Sequence, residues 1–224
     1  MIQIKVNEMV YLKDPDSTDL GRMIVRDGIY LIDEMGFEHF TFKKLAARIN
    51  STEASIYRYF ENKHNLLTYL VAWYWNWQAH QLEFLTHNIA SPVERIKIAM
   101  QIVTQPHRIE NGLTQLSADI DKAALHRIVV SESSKSYLSK EVDQNNQEGY
   151  FLSYKRFCRH IADLVREINP QYPYPTALTS MLLESAHDQF FFAAHLPRLT
   201  EIKKDDYDLL TDFLLDIVLR VTRA

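Results

Sequence analysis

The sequence predicts an all-α protein, in which an N-terminal three-helix domain precedes a C-terminal helical bundle. The 224 residues include only 5 Gly and 7 Pro, which is few for an all-β fold rich in turns. Apolar residues make up 46% and charged residues 24%, as in ordinary globular proteins and unlike disordered ones. Apolar side chains also recur at spacings of three and four residues along most of the chain, which is typical of amphipathic helices.

The beginning of the chain predicts an extended arm followed by one long helix. Residues 2–12 alternate loosely between apolar and polar side chains, as a short strand or an extended arm would. We assign residues 1–17 to this arm, because its last four residues, Asp-Pro-Asp-Ser, are a helix start signal. The apolar spacing then predicts a helix from about Thr18 to Met35, where Gly36 supplies the stop signal.

Two short helices are predicted next. Thr41 is a suitable N-cap for a helix of about eight residues. Asn50 tolerates the left-handed backbone that a tight turn requires. Ser51 or Thr52 then begins a third helix that ends near Tyr59. Two short helices joined by about three residues form a helix-turn-helix, whose second helix enters a groove of DNA.

The remainder of the chain has helical spacing as well. We divide the chain into a helix-turn-helix domain, residues 1–66, and a helical domain, residues 67–224. The polar segment 131–136 is expected to be flexible. The helices predicted beyond the helix-turn-helix span roughly residues 63–86, 92–104, 113–130, 148–168, 176–196 and 203–222.

Composition excludes several classes of protein. Cys158 is the single cysteine, so no internal disulfide can form and a reducing, cytoplasmic location is expected. There is no run of 18 apolar residues, so we expect no membrane span. Neither glycine fingerprint of the nucleotide-binding folds occurs, and no nucleophile motif stands out. We therefore predict a protein that has no cofactor and is not an enzyme.

Charge is distributed unevenly along the chain. The whole sequence has 25 basic and 29 acidic side chains, for a net charge of −4. Between residues 36 and 69, five basic side chains oppose three acidic ones, which leaves a local net charge of +2. Because this excess is small, affinity for a DNA backbone is expected to depend on geometry and dimerisation more than on bulk charge.

A specific motif covers the predicted helix-turn-helix, where residues 36–67 read GFEHFTFKKLAARINSTEASIYRYFENKHNLL. This segment resembles the TetR family of bacterial transcriptional regulators, and the resemblance covers residues 18–67. Asn50, Ser51 and Ala54 depart from the family pattern, which usually has Gly, Val and Gly at these positions. The residues that match in register are Gly36, Phe37, Thr41, Leu45, Ala46, Thr52, Ser55, Ile56, Tyr57, Tyr59, Phe60, Lys63, Leu66 and Leu67.

The resemblance implies a homodimeric regulator, most simply a ligand-responsive repressor that binds a palindromic operator in double-stranded DNA. It also implies that residues 67–224 bind the effector and form the dimer, and that a tyrosine of the recognition helix contacts phosphate. The predicted DNA-binding residues are Thr41, Lys43, Thr52, Glu53, Ala54, Ser55, Tyr57, Arg58, Tyr59 and Lys63.

Several of these residues have a second candidate role. Tyr57 and Phe60 are three residues apart and are also candidates for the core. Glu53 either accepts a hydrogen bond from a cytosine amino group, repels phosphate or stabilises the helix dipole. Arg58 is long enough to reach a base edge or a phosphate, and a role as a solvated surface residue remains open.

Aromatic and soft side chains from four predicted helices form a candidate effector pocket. A small apolar or aromatic effector is expected there, because a buried anion needs Arg or Lys partners and no positive cluster is predicted. His187 supplies one hydrogen bond in this hypothesis, and the alternative is a filled core. The candidate pocket residues are Trp77, Met100, Tyr154, Phe157 and His187.

The last two predicted helices are candidates for a dimer interface. They are apolar on more than one face, so we expect their own domain to bury one face and a partner to bury another. The predicted interface residues are Ser185, Ala186, Ala193, Leu210, Phe213, Leu214, Ile217 and Val221.

Two other functions stay open at this point. One is a DNA-binding protein whose C-terminal domain only dimerises and binds no inducer. The other is an all-helical enzyme or metal-binding bundle, in which Glu61-x-x-His64 and Glu184-x-x-His187 supply the ligands. Cys158 is either an activated thiol beside basic residues or an inert packing residue.

Overall fold

The computed structural model describes residues 4–105 and 120–222, and the fold is all-α as predicted. Within these residues there is no β-strand. Eleven helices are present in them: α1 (Asp19–His39), α2 (Phe42–Arg48), α3 (Glu53–Tyr57), α4 (Lys63–Thr86), α5 (Pro92–Thr104), α6 (Lys122–Glu132), α7 (Ser134–Tyr137), α8 (Val142–Gln147), α9 (Leu152–Ile168), α10 (Pro175–His195) and α11 (Tyr207–Thr222).

The N-terminal arm is a packed segment with two short 3-10 turns, Glu8–Val10 and Pro15–Ser17. Ile4, Val6 and Val10 are buried, with Val10 wholly inaccessible to solvent, whereas Met9 and Leu12 are exposed. Asn76 donates a hydrogen bond from Nδ2 to the carbonyl oxygen of Lys5 at 2.9 Å. Of the two predicted conformations, the described part of the arm therefore adopts the extended one.

Side-chain caps define the three helices that follow the arm. The hydroxyls of Thr18, Thr41 and Thr52 each accept a hydrogen bond from a backbone N–H in the first turn of α1, α2 and α3 respectively. Gly36 has a φ of 75° and interrupts α1, which resumes for one turn after the predicted stop. Asn50 has a φ of 50°, the left-handed conformation expected for the turn between α2 and α3.

The later helices follow the prediction, except that α8 was not predicted and that three further segments differ. Helix α9 begins after a turn in which Gly149 has a φ of 83°, so the first predicted turn of this helix is absent. Helix α11 begins after Asp205, whose φ is 66°, and not at the predicted residue 203. The predicted flexible segment 131–136 belongs to α6 and α7. Most of the first half of the helix predicted over 113–130 lies outside the described residues.

The described residues form two compact units. The first unit contains residues 4–76 and 120–153, and the second unit contains residues 77–105 and 154–222. The predicted division between residues 66 and 67 falls inside α4, which begins in the first unit and ends in the second. Helices α6 to α8 therefore belong to the same compact unit as the helix-turn-helix.

The second unit is built around α5, α10 and α11. A hydrogen bond of 2.6 Å joins the hydroxyls of Thr104 on α5 and Thr211 on α11. Asn169, just beyond α9, donates a hydrogen bond from Nδ2 to the carbonyl oxygen of Thr222 at 3.1 Å. Among the residues described, no helix has the length and apolar character needed to cross a membrane.

Candidate nucleic-acid interface

The turn between α2 and α3 is closed by backbone and side-chain packing. The N–H of Ser51 donates to the carbonyl oxygen of Ala46 at 2.9 Å. Leu45 and Ile56, one from each helix, are wholly buried. The rings of Phe42 and Tyr57 meet edge to face at a centroid distance of 5.1 Å. These contacts hold α3 at a defined angle to α2, as a helix-turn-helix requires.

Most of the predicted DNA-binding side chains are accessible. Ser55 and Lys63 are half-buried, and Tyr59 is buried. The exposed set lies on α3 and at the start of α2, and it consists of Thr41, Lys43, Thr52, Glu53, Ala54, Tyr57 and Arg58. Helix α3 therefore presents one continuous exposed face.

Tyr59 lies in the core of the first unit, where it is only 3% exposed. Its hydroxyl is 2.7 Å from the hydroxyl of Thr18, and this hydrogen bond lowers the pKa of the phenol. The carbonyl oxygen of Tyr59 accepts a hydrogen bond from the N–H of Leu12 at 2.8 Å. Tyr59 thus joins the end of the recognition helix to α1 and to the arm, and its phosphate contact stays a prediction.

Lys63 also has a structural partner. Its Nζ donates to the carbonyl oxygens of Phe37 at 3.0 Å and of Glu38 and Phe40 at 3.3 Å. A cation at this position stabilises the end of α1, where unpaired carbonyl groups point along the helix axis. The contact of Lys63 with phosphate stays a prediction.

The basic side chains of this region differ in how far they are already engaged. Arg48 pairs with Asp27 at 3.2 Å and with Glu34 at 3.0 Å, so its charge is neutralised. Lys43 and Arg58 form no hydrogen bond or ion pair with any described residue, and both are exposed. These two cations are the ones available to bind DNA phosphates.

Sequence reasoning missed the polar contacts between α1 and the segment α6–α7. The buried carboxylate of Glu132 accepts a hydrogen bond from the N–H of Phe37 at 3.2 Å. It also pairs with Lys135 at 2.8 Å, and Lys135 pairs with Glu38 at 2.8 Å. Arg127 binds both carboxylate oxygens of Asp33. In the sequence, the one sign of these contacts was the presence of charged side chains in the segment predicted to be flexible.

The candidate effector residues all belong to the second unit. Trp77, Met100, Phe157 and His187 are buried, whereas Tyr154 is half-exposed and donates to Glu184 at 2.9 Å. Burial lowers the pKa of His187 to about 4, although the neighbouring Asp188 acts in the opposite direction. His187 is therefore neutral at physiological pH.

The predicted interface residues differ in how far the single chain buries them, and their role in a dimer stays a prediction. Ala186, Leu210 and Leu214 are wholly or almost wholly buried within their own chain, so they have no surface to offer a partner. Phe213 and Val221 are 42% and 41% exposed. The remaining predicted interface residues are half-buried, and they are Ser185, Ala193 and Ile217.

Three exposed apolar residues of α10 and α11 were not predicted. Met181 and Phe191 on α10 are 47% and 42% exposed, and Leu209 on α11 is 42% exposed. Spacing alone does not separate the inner from the outer face of a helix that is apolar nearly all round.

The activated thiol and the metal site considered for the alternative functions have less support in the structure than the helix-turn-helix. Burial raises the pKa of the Cys158 thiol to about 11, so this cysteine is an inert packing residue and not an activated thiol. Glu184, a candidate metal ligand, accepts the hydrogen bond from Tyr154. Within the described residues, no group of three or more potential ligands is placed to hold a metal ion.

The fold and the exposed face of α3 define a chain with one helix-turn-helix among its described residues. Residues 24–70 match the family described as bacterial regulatory proteins, tetR family. The chain therefore carries the N-terminal domain of the TetR family, and the resemblance found in its sequence is confirmed. This family consists of DNA-binding regulators, not enzymes.

Solved structures of TetR-like regulators share the fold. FadR, the fatty acid degradation regulator of Bacillus halodurans, is 16% identical, with 88% of this chain and 93% of that chain covered and a TM-score of 0.59. AibR, in complex with isovaleryl coenzyme A and operator DNA, is 17% identical, with 88% and 97% covered and a TM-score of 0.56. PfmR from Thermus thermophilus is 14% identical, with 88% and 97% covered and a TM-score of 0.57. No curated protein sequence matches the chain.

Proposed function

We propose that this protein is a homodimeric transcriptional repressor that binds a palindromic operator and releases it when a small effector binds. The observation that carries this proposal is the exposed face of α3, flanked by the two unengaged cations Lys43 and Arg58, within a segment that matches the TetR family. Phosphate contacts from these cations position the protein, and the side chains of α3 read base edges.

The proposed dimer uses the outer faces of α10 and α11. Met181 and Phe191 on α10 and Leu209, Phe213 and Val221 on α11 remain between 41% and 47% exposed in the single chain. Clusters of large exposed apolar side chains are typical of protein interfaces. A two-fold pairing of these helices buries the apolar side chains and places two recognition helices on one DNA duplex.

The proposed effector is a small acyl thioester. AibR binds isovaleryl coenzyme A and FadR is named for fatty acid degradation, and both share this fold. The described part of the second unit contains no buried Asp, Glu, Lys or Arg. An acyl chain is the part of such a molecule that an uncharged interior accommodates.

The proposed signal passes along α4. This helix begins beside the helix-turn-helix and ends in the second unit, where Trp77 is one of its buried residues. A shift of α4 moves Lys63, whose ammonium group holds the end of α1. Effector binding then favours a spacing of recognition helices that does not match the two half-sites.

The sequence of the operator and the spacing of its half-sites are the first properties to determine. A selection from random DNA with the purified full chain should return a pseudo-palindrome, with half-site centres about 34–36 Å apart or a multiple of this distance. Sedimentation of the complex should give two protein chains for each DNA duplex. A single unrepeated half-site bound by one chain would contradict the proposal.

A further inference from the structure

Helix α4 carries two glutamines in the second unit that are wholly buried. Gln78 is 0% exposed and Gln81 is 1% exposed. The side-chain oxygen and nitrogen of both residues lack a hydrogen-bond partner among the described residues. Two primary amides one helical turn apart therefore leave two acceptors and two NH₂ donor groups unused inside the protein.

Such an arrangement destabilises the protein unless another molecule completes it. A buried amide without a partner loses its hydrogen bonds to water and gains nothing in exchange. Met or Leu would fill a similar volume without this penalty. Unsatisfied buried groups in native proteins therefore point to a missing water molecule or to a ligand.

Most of the other buried polar side chains of the described second unit have a hydrogen-bond partner within the chain. Five are threonines, and each hydroxyl lies within hydrogen-bond distance of the carbonyl oxygen four residues earlier in its helix. Of the hydroxyls of Thr104 and Thr211, one donates to the other instead. The sixth is His187. The threonines are Thr86, Thr104, Thr179, Thr211 and Thr222. Arg95 leaves one buried nitrogen, Nε, without a partner, but its guanidinium pairs with Glu167. The buried side chains of this unit that lack any partner among the described residues are thus Gln78 and Gln81.

The two amides lie on the same side of α4 as a candidate pocket residue. At 3.6 residues per turn, Gln81 is displaced by about 40° from Trp77 and about 60° from Gln78 around the helix axis. All three side chains are buried. An aromatic surface and two amides therefore occupy one stripe of the helix.

We propose that Gln78 and Gln81 are the polar recognition point of the effector site, and that they bind the uncharged thioester and amide groups of an acyl thioester. The ligand carbonyl groups accept from the NH₂ groups of the glutamines, and a ligand amide N–H donates to a glutamine oxygen. A carboxylate is disfavoured, because no buried cation of the described unit compensates its charge. A hydrocarbon is disfavoured, because it leaves the amides unpaired. This inference rests on the proposed function, and it adds hydrogen-bonding groups to the apolar effector that the sequence predicts.

Calorimetric titration of the full-length protein with isovaleryl N-acetylcysteamine thioester tests the inference, since this probe contains one thioester and one amide and has no charge. Gln78→Met and Gln81→Met should each weaken probe binding by about tenfold. Both variants should also raise the melting temperature of the protein without probe, because each removes an unsatisfied amide. Isovalerate should bind more weakly than the probe.

Thr179→Val is the matched control, because the Thr179 hydroxyl is buried in the same unit and is already satisfied within its own helix at 2.9 Å. This variant should leave probe affinity unchanged. If a methionine variant does not fold, the Asn variant of the same residue replaces it. Asn keeps the amide but withdraws it by one methylene group, so the same loss of affinity is expected.

Three results would overturn the inference. The first is a methionine or asparagine variant that binds the probe as tightly as the native protein, which would assign the amides to water alone. The second is a native protein that does not bind the probe. The third is a Thr179→Val variant that loses as much affinity as the glutamine variants. Operator binding is measured on the same samples without probe, so failure of the ligand site is distinguished from failure of the repressor.

Discussion

The two compact units differ in how their buried polar groups are satisfied. In the first unit, Glu132 binds the N–H of Phe37 and the ammonium group of Lys135, and Asp27 binds Arg26 and Arg48. In the second unit, the amides of Gln78 and Gln81 remain without partners among the described residues. The buried carboxylates Asp27 and Glu132 of the first unit are therefore paired within the chain, whereas Gln78 and Gln81 give the interior of the second unit unused hydrogen-bonding capacity.

This difference matches what each unit is proposed to do. A DNA-binding unit benefits from a recognition helix that is already held in place before binding. If the helix became ordered only on contact with DNA, the lost conformational entropy would lower the affinity. An effector site benefits from unsatisfied groups that only the right ligand completes, since that ligand then stabilises one conformation over another. The predictions below alter one unit at a time.

The largest effect is expected from a charge placed in the core of the second unit. Leu214 is 0% exposed, so Leu214→Asp buries a carboxylate and should cost more than about 4 kcal/mol, enough to unfold the chain. Phe213→Asp is the matched control, because Phe213 is 42% exposed on the next position of α11. We expect it to dissociate the dimer and leave the chain folded. Circular dichroism and sedimentation check both variants, and a folded Leu214→Asp chain would contradict the burial of this residue.

The contrast between Leu214 and Phe213 also shows what could not be predicted from the sequence alone. Caps such as Thr41 and Thr52, and the left-handed Asn50, are local signals, so they predicted the helix-turn-helix closely. Which side of α11 faces the core depends on contacts with α5, which is distant in the sequence. The spacing of Leu214 and Phe213 alone does not contain that information.

The burial of Glu132 and of Gln78 was missed for the same reason. Glu132 is a carboxylate in a predicted polar segment, and only the tertiary structure brings it to the N–H of Phe37. Gln78 is a polar residue in an aromatic helix, where polar residues usually face solvent. Local patterns identify helices, but they do not show which polar side chains become buried.

The next largest effect is expected on the pH dependence of stability. The pKa of His187 is about 4 in the folded chain because of burial, against about 6.5 in the unfolded chain. Between these values the unfolded chain binds a proton that the folded chain does not, so stability is retained above pH 6.5 and lost as the pH falls. The loss should approach about 3 kcal/mol near pH 4.

Denaturant unfolding between pH 7 and pH 4 measures this loss of stability. The His187→Gln variant should reduce the slope of the free energy of unfolding against pH. His195 is the matched control, because it lies exposed in the same helix. A His195→Gln variant should retain the native slope. Equal slopes for the native protein and for His187→Gln would show that His187 does not carry the effect.

A smaller loss is expected when the charge of Glu132 is removed. Glu132→Gln keeps an oxygen for the N–H of Phe37 but loses the ion pair with Lys135, which should cost about 1–3 kcal/mol. Glu38→Gln removes the other partner of Lys135, but the Glu38 side chain is 72% exposed, so almost no loss is expected. Thermal unfolding compares the two variants. Equal losses would mean that burial of Glu132 does not strengthen its contacts.

The smallest effect concerns the exposed face that is proposed to bind DNA, where stability should not change. Lys43→Ala removes a cation that has no partner in the described chain, and a dimer loses two of them. Since phosphate contacts carry no sequence information, binding should weaken for operator and non-operator DNA alike. The slope of log affinity against log salt concentration should fall by about 2.

Lys44→Ala is the control, because Nζ of Lys44 is held by the carbonyl oxygen of His39 at 2.8 Å, and its slope should stay close to the native value. A Lys43→Ala variant that changes the preferred bases at an unaltered slope would instead assign Lys43 to base recognition, and the reading surface would then extend from α3 to the start of α2.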